Sequence, residues 1–221
     1  MYMTTPALHT IIKLPEPTLH RLPWYLAYVK IMQAQGVEHI SSTQIAKAIN
    51  VDASQIAKDL SFVNISGKTR VGYEVNSLVN VLEHFLGFNS QHKAIVYGVG
   101  RLGAALMHDS GLAQYGLEIV AGFDVRAMKQ NNINGIPLYS VNEFSKKREE
   151  LDAQIGILTV PVEKAQECAD YMIANGIKAI WNFTPYRLQA PKHIVIQDTS
   201  IYAHLAVMFN RLNNIRGEEE I

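Results

Sequence analysis

Three glycines, Gly98, Gly100 and Gly103, carry the most specific chemistry in this 221-residue chain. They follow the apolar run Lys93-Ala94-Ile95-Val96-Tyr97 and precede Ala104-Ala105-Leu106-Met107, the order of strand, tight turn and helix. In that setting Gly98 permits the turn, Gly100 lets a pyrophosphate approach the backbone, and Gly103 lets the helix pack close to the strand. The intervening Val99, Arg101 and Leu102 lie with them at a helix N-terminus, whose unpaired N–H groups and positive dipole end suit phosphate. A second apolar run, 117–123, ends in Asp124, 21 residues after Gly103. A carboxylate there accepts hydrogen bonds from a ribose 2′-hydroxyl and repels a 2′-phosphate. The spacing therefore predicts a dinucleotide site that favours NAD over NADP, a preference softened by Arg126 two residues on. The plainer reading is an ordinary α/β turn with an aspartate at a strand end.

Later strands add to the same crevice, because ligands of doubly wound sheets sit at the carboxyl ends of the strands. Residues 155–161 read as a strand with Pro161 at its mouth, which places Thr159, Val160 and Pro161 there. Residues 177–183 bring Asn182, suited to a carboxamide, and Phe183, suited to flank a nicotinamide ring. Asn182 as a satisfied loop residue stands beside that reading. A helix over 163–175 closed by Gly176, a short strand at 194–197 and a terminal helix over 201–212 complete the pattern.

About 75 residues of ordered-looking sequence precede the glycine turn, enough for a small domain of their own. Residues 22–32 have helical apolar spacing, with Pro23 in the first turn and Gly36 as the stop. Ser42 is read as the N-cap of a helix whose apolar face is Ile45, Ala48 and Ile49. A turn at Asn50-Val51-Asp52, with Val51 buried, leads to a helix with Ile56 and Leu60 facing inward. This is a helix-turn-helix that would present Ser54, Gln55 and Lys58 to base edges and phosphates, with Ser42 and Thr43 at the start of the preceding helix. Residues 66–75 have the glycines, β-formers and cations, Lys68 and Arg70, of a hairpin wing. A helix over 77–88, stopped by Gly87, connects to the second domain. The expected division is 1–88 and 89–221. A small helical cap with no ligand is the alternative for the first part.

Composition narrows the classes. The net charge is zero, 48% of residues are hydrophobic and 18% charged, so the chain as a whole is not a strongly basic nucleic-acid binder. Residues 1–88 hold 7 Lys+Arg against 6 Asp+Glu. Cys168 is the one cysteine, which excludes an intramolecular disulfide and a CxxC zinc site, and its helical setting points to a buried structural thiol. No metal site is expected. No apolar run reaches the roughly 18 residues of a membrane span. Residues 1–18 read as a loose arm rather than a secretory signal, and a cytoplasmic protein is expected. No catalytic residues are expected either. His92, His108, His193 and His204 are scattered, and nothing resembles a second substrate domain, so a dinucleotide domain joined to a DNA reader looks like a sensor.

The chain resembles the Rex family of redox-sensing transcriptional repressors over about residues 20–212. The matching stretches include Arg21-Leu22-Pro23, Lys58-Asp59-Leu60-Ser61, Val71-Gly72-Tyr73, the glycine turn, Gly122-Phe123-Asp124, Leu158-Thr159-Val160-Pro161 and Ile180-Trp181-Asn182-Phe183. The resemblance implies an α/β protein with an N-terminal winged-helix domain and a C-terminal Rossmann domain, a doubly wound parallel sheet. It implies a homodimer in which the terminal helix swaps onto the partner, a near-palindromic double-stranded operator, and release of DNA by NADH while NAD+ permits binding. It departs from the family pattern at Ala57, where the family carries arginine, at Phe62-Val63-Asn64, at Thr69-Arg70 in the wing, at Ala27 and at Ser200. A divergent Rex-like paralogue with altered DNA reading and a small NAD-dependent oxidoreductase are the alternatives.

Overall fold

A computed structural model describes residues 14–126 and 132–219, with side chains through residue 215. The chain divides between Ser90 and Gln91 into two compact units.

The first unit contains α1 (Glu16–Ala34), β1 (His39–Ile40), α2 (Ser42–Ile49), α3 (Ala53–Phe62), β2 (Tyr73–Glu74) and α4 (Val75–Leu86). Leu22, Tyr25 and Leu26 of α1, Ile45 of α2, Ile56 and Leu60 of α3 and Leu78 and Leu82 of α4 form one core. Four local expectations are corrected. The first helix begins at Glu16, so a proline of its first turn is Pro17 and Pro23 lies inside it; part of the expected arm is thus helical, and residues 1–13 lie outside the described residues. The N-cap of α2 is Ser41, not Ser42: Ser41 Oγ accepts from Gln44 N while Gln44 Oε1 accepts from Ser41 N at 2.8 Å, a reciprocal capping box. On α2, Ala46 rather than Ala48 packs inward beside Ile45 and Ile49. Val51 is half-buried, and the turn it occupies is made by the left-handed Asn50.

The wing is a tight turn rather than a regular hairpin. Lys68 N donates to Gly72 O at 2.8 Å and Gly72 N to Lys68 O at 2.9 Å, with Arg70 at φ 65° between them. Gly72 has φ 93°, and a Cβ there would run into the Ile40 carbonyl, so this glycine lets the wing close on β1. β1 and β2 pair antiparallel, and Glu74 caps α4 by accepting from Asn76 N and Ser77 N.

The second unit contains β3 (His92–Tyr97), α5 (Arg101–His108), α6 (Gly111–Gln114), β4 (Leu117–Asp124), β5 (Asn132–Ile133), β6 (Ile136–Ser140), α7 (Phe144–Leu151), β7 (Ile155–Leu158), α8 (Ala165–Ala174), β8 (Ala179–Asn182), β9 (Val195–Asp198) and α9 (Ile201–Glu219). Its sheet runs β5-β6-β4-β3-β7-β8-β9, parallel except for the β5–β6 edge pair. That is the doubly wound Rossmann order, with its switch point between β3 and β7. The strands read as continuous apolar runs because both faces are covered. Ala94 and Val96 of β3 pack with Met107 of α5, whereas Ile95 and Tyr97 pack with Phe144 of α7 and Ala165, Ala169 and Met172 of α8. Sequence patterning had defined no elements between 125 and 154, where β5, β6 and α7 lie. The last helix, α9, extends to Glu219, and its Val207, Met208, Phe209 and Leu212 are exposed in the single chain.

The three motif glycines experience different constraints. Gly98 has φ 95°. A Cβ on Gly103 would lie 2.5 Å from Gly98 O and 2.9 Å from Thr159 Oγ1, whereas one on Gly100 would meet nothing within 4 Å. Gly103→Val is therefore expected to cost about 1–3 kcal/mol through overpacking. Gly100→Val should stay within about 1 kcal/mol of the parent. Urea denaturation followed by circular dichroism checks both; equal losses would refute the distinction.

Candidate functional site

The switch point opens into a cleft of about 920 Å³, within the range of small-molecule sites. Of the twelve residues expected in the crevice, Gly98, Gly100, Asp124, Thr159, Val160 and Pro161 line it. Val99, Arg101, Leu102 and Gly103 lie outside the lining: Gly100 is the N-cap of α5, Arg101 and Leu102 start the helix exposed, and Val99 and Gly103 are buried, Gly103 against Gly98 and Thr159. Thr159 Oγ1 donates to Gly98 O at 2.6 Å, which ties the glycine turn to the end of β7.

Asp124 ends β4 and is 7% exposed. Its Oδ2 accepts from Val99 N at 2.8 Å. Its Oδ1 accepts from Arg126 N at 2.9 Å and Arg126 Nε at 3.2 Å. The carboxylate thus grips the glycine turn itself, and a guanidinium stands beside it at the cleft.

Asn182 and Phe183 require correction. Asn182 is fully buried, and its amide is already used: Nδ2 donates to Tyr186 O and Asp198 Oδ1, while Oδ1 accepts from Thr184 N and Thr184 Oγ1. It holds the β8 loop to β9 and presents no free group for a carboxamide. Phe183 is half-buried and packs its ring against Trp181 at 4.7 Å, outside the lining of the cleft. The far wall was not foreseen. It comes from Val141 and Asn142 after β6 and from Lys164, Glu167, Cys168 and Tyr171 around α8. Only the sheet order brings these to the glycines, so no local spacing could have found them. Cys168 is half-buried and faces the cleft; burial raises its thiol pKa above the ordinary value, with Glu167 adding to the shift. Burial likewise pushes the Tyr97 phenol up.

In the first unit, the exposed face of α3 is Ser54, Ala57, Lys58 and Ser61. Gln55, expected to point outward, turns back: its Nε2 donates to Asp59 Oδ1 at 2.9 Å. The helical period explains the difference, since Ile56, Leu60 and Val63 are buried and the opposite stripe passes through Ser61 rather than Gln55. Ser42 is half-buried at the start of α2, Thr43 is exposed, and Lys68 and Arg70 are exposed on the wing.

Asp59 is fully buried and organises this unit. Arg21 Nε and Nη2 reach its two oxygens at 2.6 and 2.8 Å, Tyr25 Oη donates at 2.7 Å and Thr18 Oγ1 at 2.9 Å. Burial alone would raise its pKa, but hydrogen bonds from Arg21, Tyr25, Thr18 and Gln55 outweigh that and hold it at about 2. The same contact raises the Arg21 pKa, and burial followed by Asp59 raises that of Tyr25. The network joins α1 to α3 across 38 residues of sequence.

Comparison with known proteins matches both units. A family model described as "Putative DNA-binding protein N-terminus" matches residues 13–61, and one described as "CoA binding domain" matches residues 89–186. The redox-sensing transcriptional repressor Rex of Bacteroides thetaiotaomicron is 64% identical over 202 residues, covering 91% of this chain and 92% of that protein. Rex of Porphyromonas gingivalis is 58% identical over 206 residues, covering 92% and 94%. The crystal structure of RSP in complex with beta-NAD+ and operator DNA superposes with a TM-score of 0.87 at 29% identity, covering 94% of this chain and 96% of that one. RSP in complex with beta-NADH gives 0.83 at 29% identity, covering 94% and 98%.

Asp59→Ala leaves Arg21, Tyr25 and Thr18 without their acceptor and is expected to cost about 3–5 kcal/mol. Because the folded pKa of about 2 lies below the ordinary 3.8, the parent keeps the charge-dependent part of this stabilisation whole above about pH 4 and loses that part as the pH falls towards 2. Denaturation of parent and variant between pH 2 and 7 checks this. A difference that does not shrink on acidification would assign the loss to packing rather than charge.

Proposed function

The chain belongs to the Rex family of redox-sensing transcriptional repressors, and on that premise we propose that it binds double-stranded DNA as a homodimer and is released when NADH occupies its second unit. The observation that carries the nucleotide half is Gly100. Its backbone is extended at φ −81°, ψ −160° and a Cβ there would meet no protein atom within 4 Å. Neither strain nor packing asks for glycine, whereas a pyrophosphate laid against the start of α5 would. Gly98, Val99, Arg101, Leu102 and Gly103 shape that cradle, Asp124 faces the ribose, and Thr159, Val160 and Pro161 close the β7 side. When bound, the dinucleotide brings its nicotinamide as the redox-sensitive part.

The DNA half rests on the exposed stripe of α3 with the wing beside it. Ser54 and Lys58 would meet bases and phosphates, Ser42 and Thr43 the backbone, and Lys68 and Arg70 a neighbouring groove. Ala57 lies in the middle of that stripe and contributes no charge, which favours an operator differing from one read by arginine. A twofold dimer would read a near-palindrome. The apolar residues of α9 that the single chain leaves exposed support a terminal helix swapped onto a partner. This reading makes the chain a regulator, the role that the names of its relatives carry. No described helix is long and apolar enough to cross a membrane. NADH acts only through its preference for the conformation that cannot hold DNA, so its effect is bounded by that difference in affinity.

Selection of random duplexes by the purified protein, with NAD+ or with NADH, tests the proposal. A near-palindrome recovered with NAD+ and released by NADH is expected. No enrichment in either condition, with NADH binding confirmed in the same sample, would favour a nucleotide-binding paralogue with lost DNA reading. Gly100→Val is expected to keep operator binding and lose release by NADH. A second outcome concerns assembly: Phe209→Asp should convert the dimer to a monomer by light scattering, and an unchanged mass would remove α9 from the dimer contact.

A further inference from the structure

We propose that Arg126 determines nucleotide specificity in the cleft and allows it to take a dinucleotide bearing a 2′-phosphate, NADPH, alongside one bearing a 2′-hydroxyl; this rests on reading the cleft as a dinucleotide site. The usual exclusion of a 2′-phosphate depends on a bare strand-end carboxylate, which repels it. Here the carboxylate is not bare. Both oxygens of Asp124 already accept hydrogen bonds from the chain, Oδ2 from Val99 N at 2.8 Å and Oδ1 from Arg126 N and Nε at 2.9 and 3.2 Å. A permanently charged guanidinium therefore offsets the negative charge that would face the ribose.

The placement of that guanidinium suits a phosphate. Arg126 lies two residues beyond the end of β4, its side chain is 70% exposed, and it lines the same cleft as Asp124. Its ion pair to Asp124 runs through Nε, and the Nη edge lies beyond it on the guanidinium. That edge offers the paired N–H geometry that phosphate oxygens accept bidentately. Lys164, on the same lining, pairs with Glu167 at 2.8 Å and is a point charge without the planar fork that a guanidinium offers. The result is a site with one carboxylate for a hydroxyl and one adjacent cation for a phosphate, where a bare carboxylate alone would select strongly for the hydroxyl.

The test is the affinity of the full chain for NADH and for NADPH, by calorimetry, in the parent and in Arg126→Ala, Arg126→Lys and Asp124→Asn. In the parent, NADPH should bind within about tenfold of NADH. Arg126→Ala should weaken NADPH roughly tenfold while leaving NADH within about twofold, Arg126→Lys should restore part of the loss, and the effect should shrink as salt rises. Asp124→Asn should shift the balance further towards NADPH. NADH binding with no measurable NADPH binding in the parent, or equal changes for both nucleotides in Arg126→Ala, would overturn the proposal while sparing the cleft. Failure of NADH itself to bind would refute the cleft reading and this inference together.

Discussion

The carbonyl oxygen of Gly98 is the point at which the second unit is assembled. It ends the central strand, accepts the Thr159 hydroxyl from the end of β7 at 2.6 Å, and lies where any side chain on Gly103 would collide with it. This one hydrogen bond and the missing methyl group add to the β3–β7 ladder and to the packing of α5 on β3, and they tie the glycine turn to both elements. Because the two strands flank the switch point of the sheet, the same contact lies in the lining of the cleft. Asp124 adds a second tie by accepting from Val99 N, so the carboxylate at the end of β4 also fixes the glycine turn. Preorganisation of this kind lowers the ordering cost that binding would otherwise incur.

The first unit reaches a similar end by a different means. Helices α2 and α3 are short, and α3 presents only a narrow exposed stripe. Its angle to α1 is set by the buried carboxylate of Asp59, which takes bonds from Arg21, Tyr25 and Thr18. A buried charge of this sort is tolerable only when every lone pair is answered, and among the described residues no buried side-chain polar atom lacks a partner. The directional network gives α3 an orientation that apolar contacts alone would leave looser.

Neutral overall charge and the proposed reading of DNA are compatible once charge is followed residue by residue. Asp59 is buried and matched by Arg21, while Lys58, Lys68 and Arg70 are exposed on α3 and the wing. A count over the whole chain averages these away. The same holds at the cleft, where Asp124 and Arg126 cancel in a sum and yet are distinct groups of its lining.

Local pattern was sufficient for a good part of this protein. The glycine turn, the strand ending in Asp124, the helix-turn-helix and most of the later strands depend on periodicities of two and 3.6 and on turn residues, which act between neighbours in the chain. Even the capping box at Ser41 and Gln44 is a local pattern of this kind, one residue before Ser42. Tertiary structure decided the rest, because the deciding partners are remote in sequence. Asn182 looked available until β9 and the Tyr186 loop consumed its amide. Gln55 looked exposed until Asp59 drew it inward. The α8 wall of the cleft, with Cys168 and Tyr171, meets the glycines only because β7 lies beside β3 in the sheet. Sequence by itself determined which elements form and which residues could serve a nucleotide; packing between distant segments determined which of them remain free to do so.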